Sequence, residues 1–88
     1  MARRKTPAVV IYTTRHCTHC KQAIRQLKAW KVVFREMDIE SNHRAYAEFR
    51  RLRARGVPVI AVGERHLFGF DQKRLRQLLE NAGIELSG

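Results

Sequence analysis

The stretch that most constrains this chain is Cys-Thr-His-Cys at residues 17–20, which holds its only two cysteines. It follows an apolar run at residues 8–12 and opens a segment with helical periodicity. A Cys-x-x-Cys at a strand-to-helix junction is typical of a dithiol redox site. Residues i and i+3 share one helix face, so the two sulfurs can approach bonding distance. A helix N-terminus also favours the thiolate, which is the nucleophile in disulfide exchange.

Length and hydropathy limit the kind of protein this can be. With 88 residues the chain has room for one core, so we expect a basic lead-in at residues 1–7 and a single domain at 8–88. No apolar run approaches the ~20 residues that span a bilayer. The apolar run at residues 8–12 is also too short for the core of a signal peptide. The sequence therefore predicts a cytoplasmic protein without a membrane partner.

The net charge of +10 suggests an acidic partner or a solvated basic surface. No RNA-binding aromatic signature, zinc-finger spacing or basic-region heptad accompanies the charge, so we predict no nucleic-acid partner. A solvated surface is the ordinary explanation, and an acidic client protein is the open alternative. The densest basic cluster lies on the exposed side of the second predicted helix and comprises Arg44, Arg50, Arg51, Arg53 and Arg55.

The apolar pattern predicts seven elements in the order β-α-β-α-β-β-α. Strands are expected at residues 8–12, 32–38, 57–62 and 65–68, and helices at 20–31, from a cap at 41–42 to near 56, and from 71 to 83. Gly63-Glu64 suits a two-residue type II′ turn, which would pair the last two strands antiparallel. Because the first two connections contain helices, right-handed crossovers would place the first three strands in parallel.

Two further motifs accompany the cysteines: Val57-Pro58 opens the third strand, and Gly69-Phe70-Asp71 precedes the last helix. Together with the element order, they make residues 8–83 resemble the glutaredoxin branch of the thioredoxin fold. The resemblance implies a three-layer α/β domain with a four-stranded mixed sheet flanked by helices. It also implies a cis Pro58 opposite the cysteines, and a thiol-disulfide oxidoreductase that reduces protein or glutathione mixed disulfides.

The two thiols are predicted to have different roles. Cys17 is nearest to the helix N-terminus and would be the attacking thiolate, and Cys20 would be the resolving thiol. His19, as an imidazolium, would stabilise the neighbouring thiolate and make the protein a stronger oxidant. The resemblance implies that a helix N-terminus and the Asp71 carboxylate hold the γ-glutamyl end of glutathione, although Asp71 is equally expected as a plain cap. The predicted substrate-binding residues are Thr14, Val57, Pro58, Gly69, Phe70 and Asp71.

The electron donor stays open between glutathione and thioredoxin reductase. Where glutathione-using members usually have Lys before the first cysteine, this chain has Thr14. Between the cysteines, where those members usually have Pro-Tyr, the chain has Thr-His. Its Gly69-Phe70 turn looks more like that of redoxins served by thioredoxin reductase. No bound cofactor is predicted, and the clients would be disulfide-bearing proteins.

Two other functions remain as alternatives. His16 and His19 flank the cysteines with zinc-type ligands, but four donors within five residues at a helix start can hardly surround one ion, so no metal ligand is predicted. By the resemblance, an iron–sulfur cluster bridging two chains with glutathione is a further possibility. A basic module that binds an acidic partner through the arginines of the second helix is the other alternative, and its binding would weaken with salt.

Overall fold

The computed structural model describes residues 7–87 and has seven elements in the predicted order β-α-β-α-β-β-α. Of the expected lead-in, residues 1–6 lie outside the described residues. The strands are β1 (Val9–Thr13), β2 (Arg35–Asp38), β3 (Val59–Val62) and β4 (Arg65–Phe68). The helices are α1 (Thr18–Ala29), α2 (His43–Arg51) and α3 (Gln72–Asn81). The α/β class is therefore confirmed.

The four strands form one mixed sheet in the order β2-β1-β3-β4. Strand β1 pairs in parallel with β2 and antiparallel with β3, and β3 pairs antiparallel with β4. The hairpin between β3 and β4 has the predicted two-residue loop, since Val62 is the partner of Arg65. Its first loop residue, Gly63, has φ +62°, which a type II′ turn requires and side chains rarely adopt.

The prediction that the first three strands run in parallel is wrong for β3. The rule of right-handed crossovers fixes the hand of a parallel connection, but it does not require a helix-containing connection to be parallel. After α2 the chain stays at the end of the sheet where β1 finishes, and Val59 pairs with Tyr12 near the end of that strand. This reversal brings the segment before β3 next to the cysteines.

Several element boundaries differ from the prediction, beginning with α1, which covers residues 18–29 rather than 20–31. Helix α1 ends in a Schellman arrangement, in which the Val32 N–H donates to the Leu27 carbonyl at 2.9 Å. Val32 is thereby buried under the helix and Val33 is 89% exposed, so β2 begins only at Arg35. Helix α2 ends at Arg51 rather than near residue 56, and β3 begins at residue 59 rather than at 57.

The core lies on both faces of the sheet. On one face α1 and α3 cover the larger cluster, which contains Val9, Ile11, Ala23, Leu27, Trp30, Val32, Ile60, Val62, Leu75 and Leu79. On the other face α2 covers a smaller cluster of Tyr12, Val59 and Ala61, packed against Phe49 and Leu52. The layers are thus α1 and α3, the sheet, and α2. None of the helices within residues 7–87 has the length and apolar character to cross a membrane.

Candidate active site

Cys17 lies at the junction between β1 and α1 and is the N-cap residue of the helix. Its backbone is extended (φ −101°, ψ 111°), and its Sγ accepts a hydrogen bond from the Cys20 N–H at 3.1 Å. The first turn of α1 contains no acidic residue. A sulfur at this position therefore receives an N–H donor and the positive end of the helix dipole, both of which stabilise a thiolate.

Cys20 occupies a very different environment one turn into the helix. Both cysteines are free thiols, but Cys20 is only 1% exposed, whereas Cys17 is partly exposed. Burial, which is the largest cause, and the neighbouring Cys17 sulfur together raise the pKa of Cys20 to about 12, while a backbone hydrogen bond from Thr14 acts in the opposite direction. At neutral pH the buried member of the pair is therefore a protonated thiol, and only its neighbour is open to a substrate.

The Val57-Pro58 segment faces the accessible thiol. The peptide bond between these residues is cis, as the resemblance implied. The Val57 carbonyl oxygen lies 3.8 Å from Cys17 Sγ and accepts the weak S–H hydrogen bond. The Pro58 carbonyl accepts a hydrogen bond from the Gly69 N–H at 2.9 Å. This bond ties the predicted turn before α3 to the segment that contacts the cysteine.

The turn before α3 is built as a helix start. Gly69 has φ +87°, and a Cβ added there would meet nothing within 4 Å. Phe70 packs its side chain against the larger core cluster, so its backbone rather than its ring is available to a ligand. Asp71 is the N-cap of α3, and its Oδ1 accepts a hydrogen bond from the Arg74 N–H at 3.0 Å. The cap function is thus seen directly, and the carboxylate remains exposed.

His19 and Thr14 lie on either side of Cys17 in sequence. His19 is exposed in the first turn of α1, and Thr14 is half-buried directly after β1. The Thr14 backbone makes a hydrogen bond to the Cys20 thiol. A stabilising effect of His19 on the Cys17 thiolate would therefore be exerted by an exposed charge, which solvent and salt screen strongly.

Sequence reasoning missed one polar pair beside the buried thiol. Thr13, at the end of β1, is 1% exposed, and its hydroxyl donates to Glu36 Oε2 at 3.0 Å. Glu36 lies on β2 opposite Ile11, and its negative charge adds to the effect of burial on the pKa of Cys20. The only signal in the sequence was a threonine ending a buried strand, since the pairing with Glu36 depends on strand register.

A second missed feature is a surface groove of about 410 Å³, which we name the Arg53–Phe68 groove. One of its lining residues is Val57, whose carbonyl oxygen contacts the Cys17 sulfur. The side chain of Phe68 at its edge is 58% exposed. The lining residues are Arg53, Ala54, Arg55, Gly56, Val57, Phe68 and Gly69. The prediction that the whole arginine cluster lies on the second helix is wrong for Arg53 and Arg55: α2 ends at Arg51, so these two lie in the loop after it and line this groove.

Within residues 7–87, no group of three or more histidine, cysteine, aspartate or glutamate side chains is placed to hold a metal ion. His16 and His19 therefore do not converge with the cysteines on one point.

Comparison with known proteins gives matches over most of the chain. A family model described as Glutaredoxin matches residues 9–67. A glutaredoxin of Pseudomonas aeruginosa is 37% identical over 78 residues, which is 88% of this chain and 89% of the relative. These matches lie over the strand, the Cys-x-x-Cys, the cis-proline segment and most of the hairpin.

Solved structures agree on the fold. The glutaredoxin-like protein NrdH-redoxin from Escherichia coli, described as having a thioredoxin-like activity profile, has a TM-score of 0.74 at 22% identity and covers 81% of this chain and 93% of its own. Buckwheat glutaredoxin in a complex with glutathione has a TM-score of 0.69 at 14% identity and covers 88% of this chain and 77% of its own. The predicted thioredoxin-like architecture is thereby confirmed.

Proposed function

Because this chain belongs to the glutaredoxin family, we propose that it reduces protein or glutathione mixed disulfides by a dithiol mechanism. Family and fold together support a thiol-disulfide redox role. The observation that supports the dithiol mechanism is that the two thiols differ in exposure and in pKa. Cys17 is accessible and receives an N–H donor at 3.1 Å, and Cys20 is 1% exposed with its pKa raised to about 12.

The first step uses the accessible thiol. The Cys17 thiolate attacks one sulfur of the client disulfide, a bond forms between Cys17 Sγ and that sulfur, and the disulfide bond breaks. The other client sulfur leaves as a thiolate and takes a proton from water. The Cys20 N–H and the N-terminus of α1 stabilise the attacking thiolate before the reaction.

The second step uses the buried thiol. Cys20 gives up its proton to the departing client sulfur and attacks Cys17 Sγ, so that a Cys17–Cys20 disulfide forms and the client leaves as a thiol. Two electrons have then passed from the protein to the client. Because burial keeps Cys20 protonated at neutral pH, it does not compete with Cys17 for the first attack.

The remaining site residues would position the substrate. The Val57 backbone lies beside the Cys17 sulfur and would align an extended segment of the substrate there. The turn formed by Gly69, Phe70 and Asp71 would hold the γ-glutamyl end of glutathione, because a helix N-terminus attracts a carboxylate and Asp71 attracts an ammonium group. Thr14 would contribute a hydroxyl donor, and His19 would add positive charge near the thiolate.

The electron donor is proposed to be glutathione or thioredoxin reductase, with no cofactor bound to the protein itself. The glutathione-bound relative supports the first, and the redoxin with the thioredoxin-like activity profile supports the second. Both donors belong to a reducing compartment, which agrees with the proposed location in the cytoplasm.

The test is NADPH-coupled reduction of an uncharged model disulfide with two recycling systems in parallel. One system contains glutathione and its reductase, and the other contains thioredoxin reductase. Turnover in either system supports the oxidoreductase and identifies its donor. Absence of turnover in both, with folded protein and active reductases, would contradict the proposal. Cys17→Ser is the matched inactive control in each system.

A further inference from the structure

The Arg53–Phe68 groove shares one residue with the surroundings of the reactive thiol. Val57 belongs to both: its carbonyl lies 3.8 Å from Cys17 Sγ, and the residue lines the groove. At about 410 Å³, the groove is within the size range of ligand-binding sites in proteins. A client segment attached through its sulfur to Cys17 would therefore continue into this groove.

The charge in the groove is positive and uncompensated. Its lining contains two arginines and no acidic residue. The single ion pair within residues 7–87 joins Arg76 to Glu80 on α3, so Arg53 and Arg55 have no carboxylate partner in the described part of the chain. Guanidinium groups bind carboxylates with paired hydrogen bonds, and a partner with acidic side chains would supply these.

The groove also offers an apolar surface. Phe68 ends the edge strand β4 and is 58% exposed, and Ala54 and Val57 lie in the same lining. An exposed aromatic ring in the same lining as two arginines suits a peptide with mixed acidic and apolar side chains. A nucleic acid would use the charge but has no disulfide to present to Cys17, whose Sγ lies 3.8 Å from the carbonyl oxygen of the lining residue Val57.

We propose that this groove binds the client, as an extended acidic peptide segment next to the client's disulfide cysteine. A carboxylate of that segment pairs with Arg53 or Arg55, and a neighbouring apolar side chain packs on Phe68. The inference rests on the proposed function, because it assumes that Cys17 attacks a client disulfide. It assigns the arginines near the end of α2 to substrate selection.

Arg53 can be replaced without disturbing the backbone around it. It follows the C-cap residue of α2 with φ +55°, a left-handed conformation that glycine adopts without strain. Arg53→Gly therefore removes the guanidinium while leaving the helix end intact. Lys31 follows the C-cap of α1 with φ +60° and lines a different cavity, at the end of a 12-residue helix opposite to Cys17. Lys31→Gly removes the same charge from the same conformation, about 18 Å along the helix from the site.

The experiment compares kcat/KM for two disulfide-linked peptides that differ only in two residues next to the cysteine. One peptide carries Asp and Glu there, and the other carries Asn and Gln. Each is reduced by the parent protein, by Arg53→Gly and by Lys31→Gly, at low and at moderate salt. The readout is the ratio of acidic to neutral kcat/KM, which cancels differences in overall activity.

The parent protein should prefer the acidic peptide, and Arg53→Gly should lower that preference by about two- to fivefold, the range of an exposed charge pair. Lys31→Gly should keep the preference, and added salt should reduce it in the parent. An equal loss of the preference for the acidic peptide in both variants, or no such preference in the parent protein, would overturn the proposal that the groove binds an acidic client segment. Neither result would contradict the oxidoreductase activity. The groove proposal would also be overturned if a single-stranded oligonucleotide inhibited reduction of the acidic peptide and an acidic peptide without cysteine did not. No reduction of either peptide by any of the three proteins would overturn both proposals.

Discussion

The two cysteines are expected to differ strongly in their reaction with an alkylating reagent in the folded, reduced protein. The thiolate is the reactive form. Burial, as the largest cause, together with the Cys17 sulfur and the Glu36 charge raises the pKa of Cys20 from its ordinary value of 9.0 to about 12. Three pKa units lower the thiolate fraction at neutral pH about a thousandfold. Because the side chain is also 1% exposed, the reagent has little access to it. Cys20 should therefore react at least about a thousandfold more slowly than a cysteine in an unfolded peptide.

Intact mass spectrometry after timed iodoacetamide treatment measures this difference directly. The folded protein should take up one label, at Cys17, and the second label should appear only after addition of urea. Cys17→Ser is the matched control, and it should take up no label on the same time scale, since burial is the largest cause of the shift at Cys20. Labelling of Cys20 in the folded protein within about tenfold of the unfolded rate would refute the assignment of roles.

Three further predictions concern the same site. The folded state holds the Cys20 proton more tightly than the unfolded state, so the reduced protein should lose stability as the pH rises from 9.0 toward about 12, by at most about 1.4 kcal/mol per pH unit. The free energy of unfolding, measured with urea at several pH values between 9 and 12, should fall less steeply with pH for Cys20→Ser than for the parent protein. An equal fall in both proteins would contradict this prediction. Asp71→Ala should lower the free energy of unfolding by about 1 kcal/mol because the cap bond to the Arg74 N–H is lost. Asp71→Asn should keep the stability and raise the KM for glutathione, and an unchanged KM would make Asp71 a plain cap. His19→Tyr should lower the reduction potential by about 10 mV, the equivalent of an exposed charge interaction of about 0.5 kcal/mol, and an unchanged potential in a glutathione redox titration would exclude a role for His19.

The parts of the fold that were predictable are those set by local chemistry. The apolar run before the cysteines, the loop at Gly63 and the cap at Asp71 are each encoded within a few residues, and all three appear in the structure. The direction of β3 was not predictable in the same way, because it depends on where the chain leaves α2. The start of β2 was shifted because the end of α1 buries Val32.

The candidate site likewise has features that are encoded locally in the sequence and features that depend on contacts between distant segments. Cys17 and Cys20 are recognisable from their spacing, and the structure adds the difference between them, which arises because Cys20 is buried in the first turn of α1. Glu36 reaches Thr13 only because β2 pairs with β1 in this register. Phe68 becomes part of a groove only because β4 occupies the edge of the sheet, next to the loop after α2. Such contacts between distant segments carry no signature in a single sequence.

Capture of the first intermediate tests the central claim most directly. Reduced Cys20→Ser, mixed with a disulfide-bearing client peptide, lacks the resolving thiol and should accumulate a mixed disulfide at Cys17. Intact mass should show one client chain attached to each protein molecule, removable by dithiothreitol, and Cys17→Ser should show none. An adduct of equal yield on Cys17→Ser, or no adduct on folded Cys20→Ser, would contradict the assignment of Cys17 as the attacking thiolate.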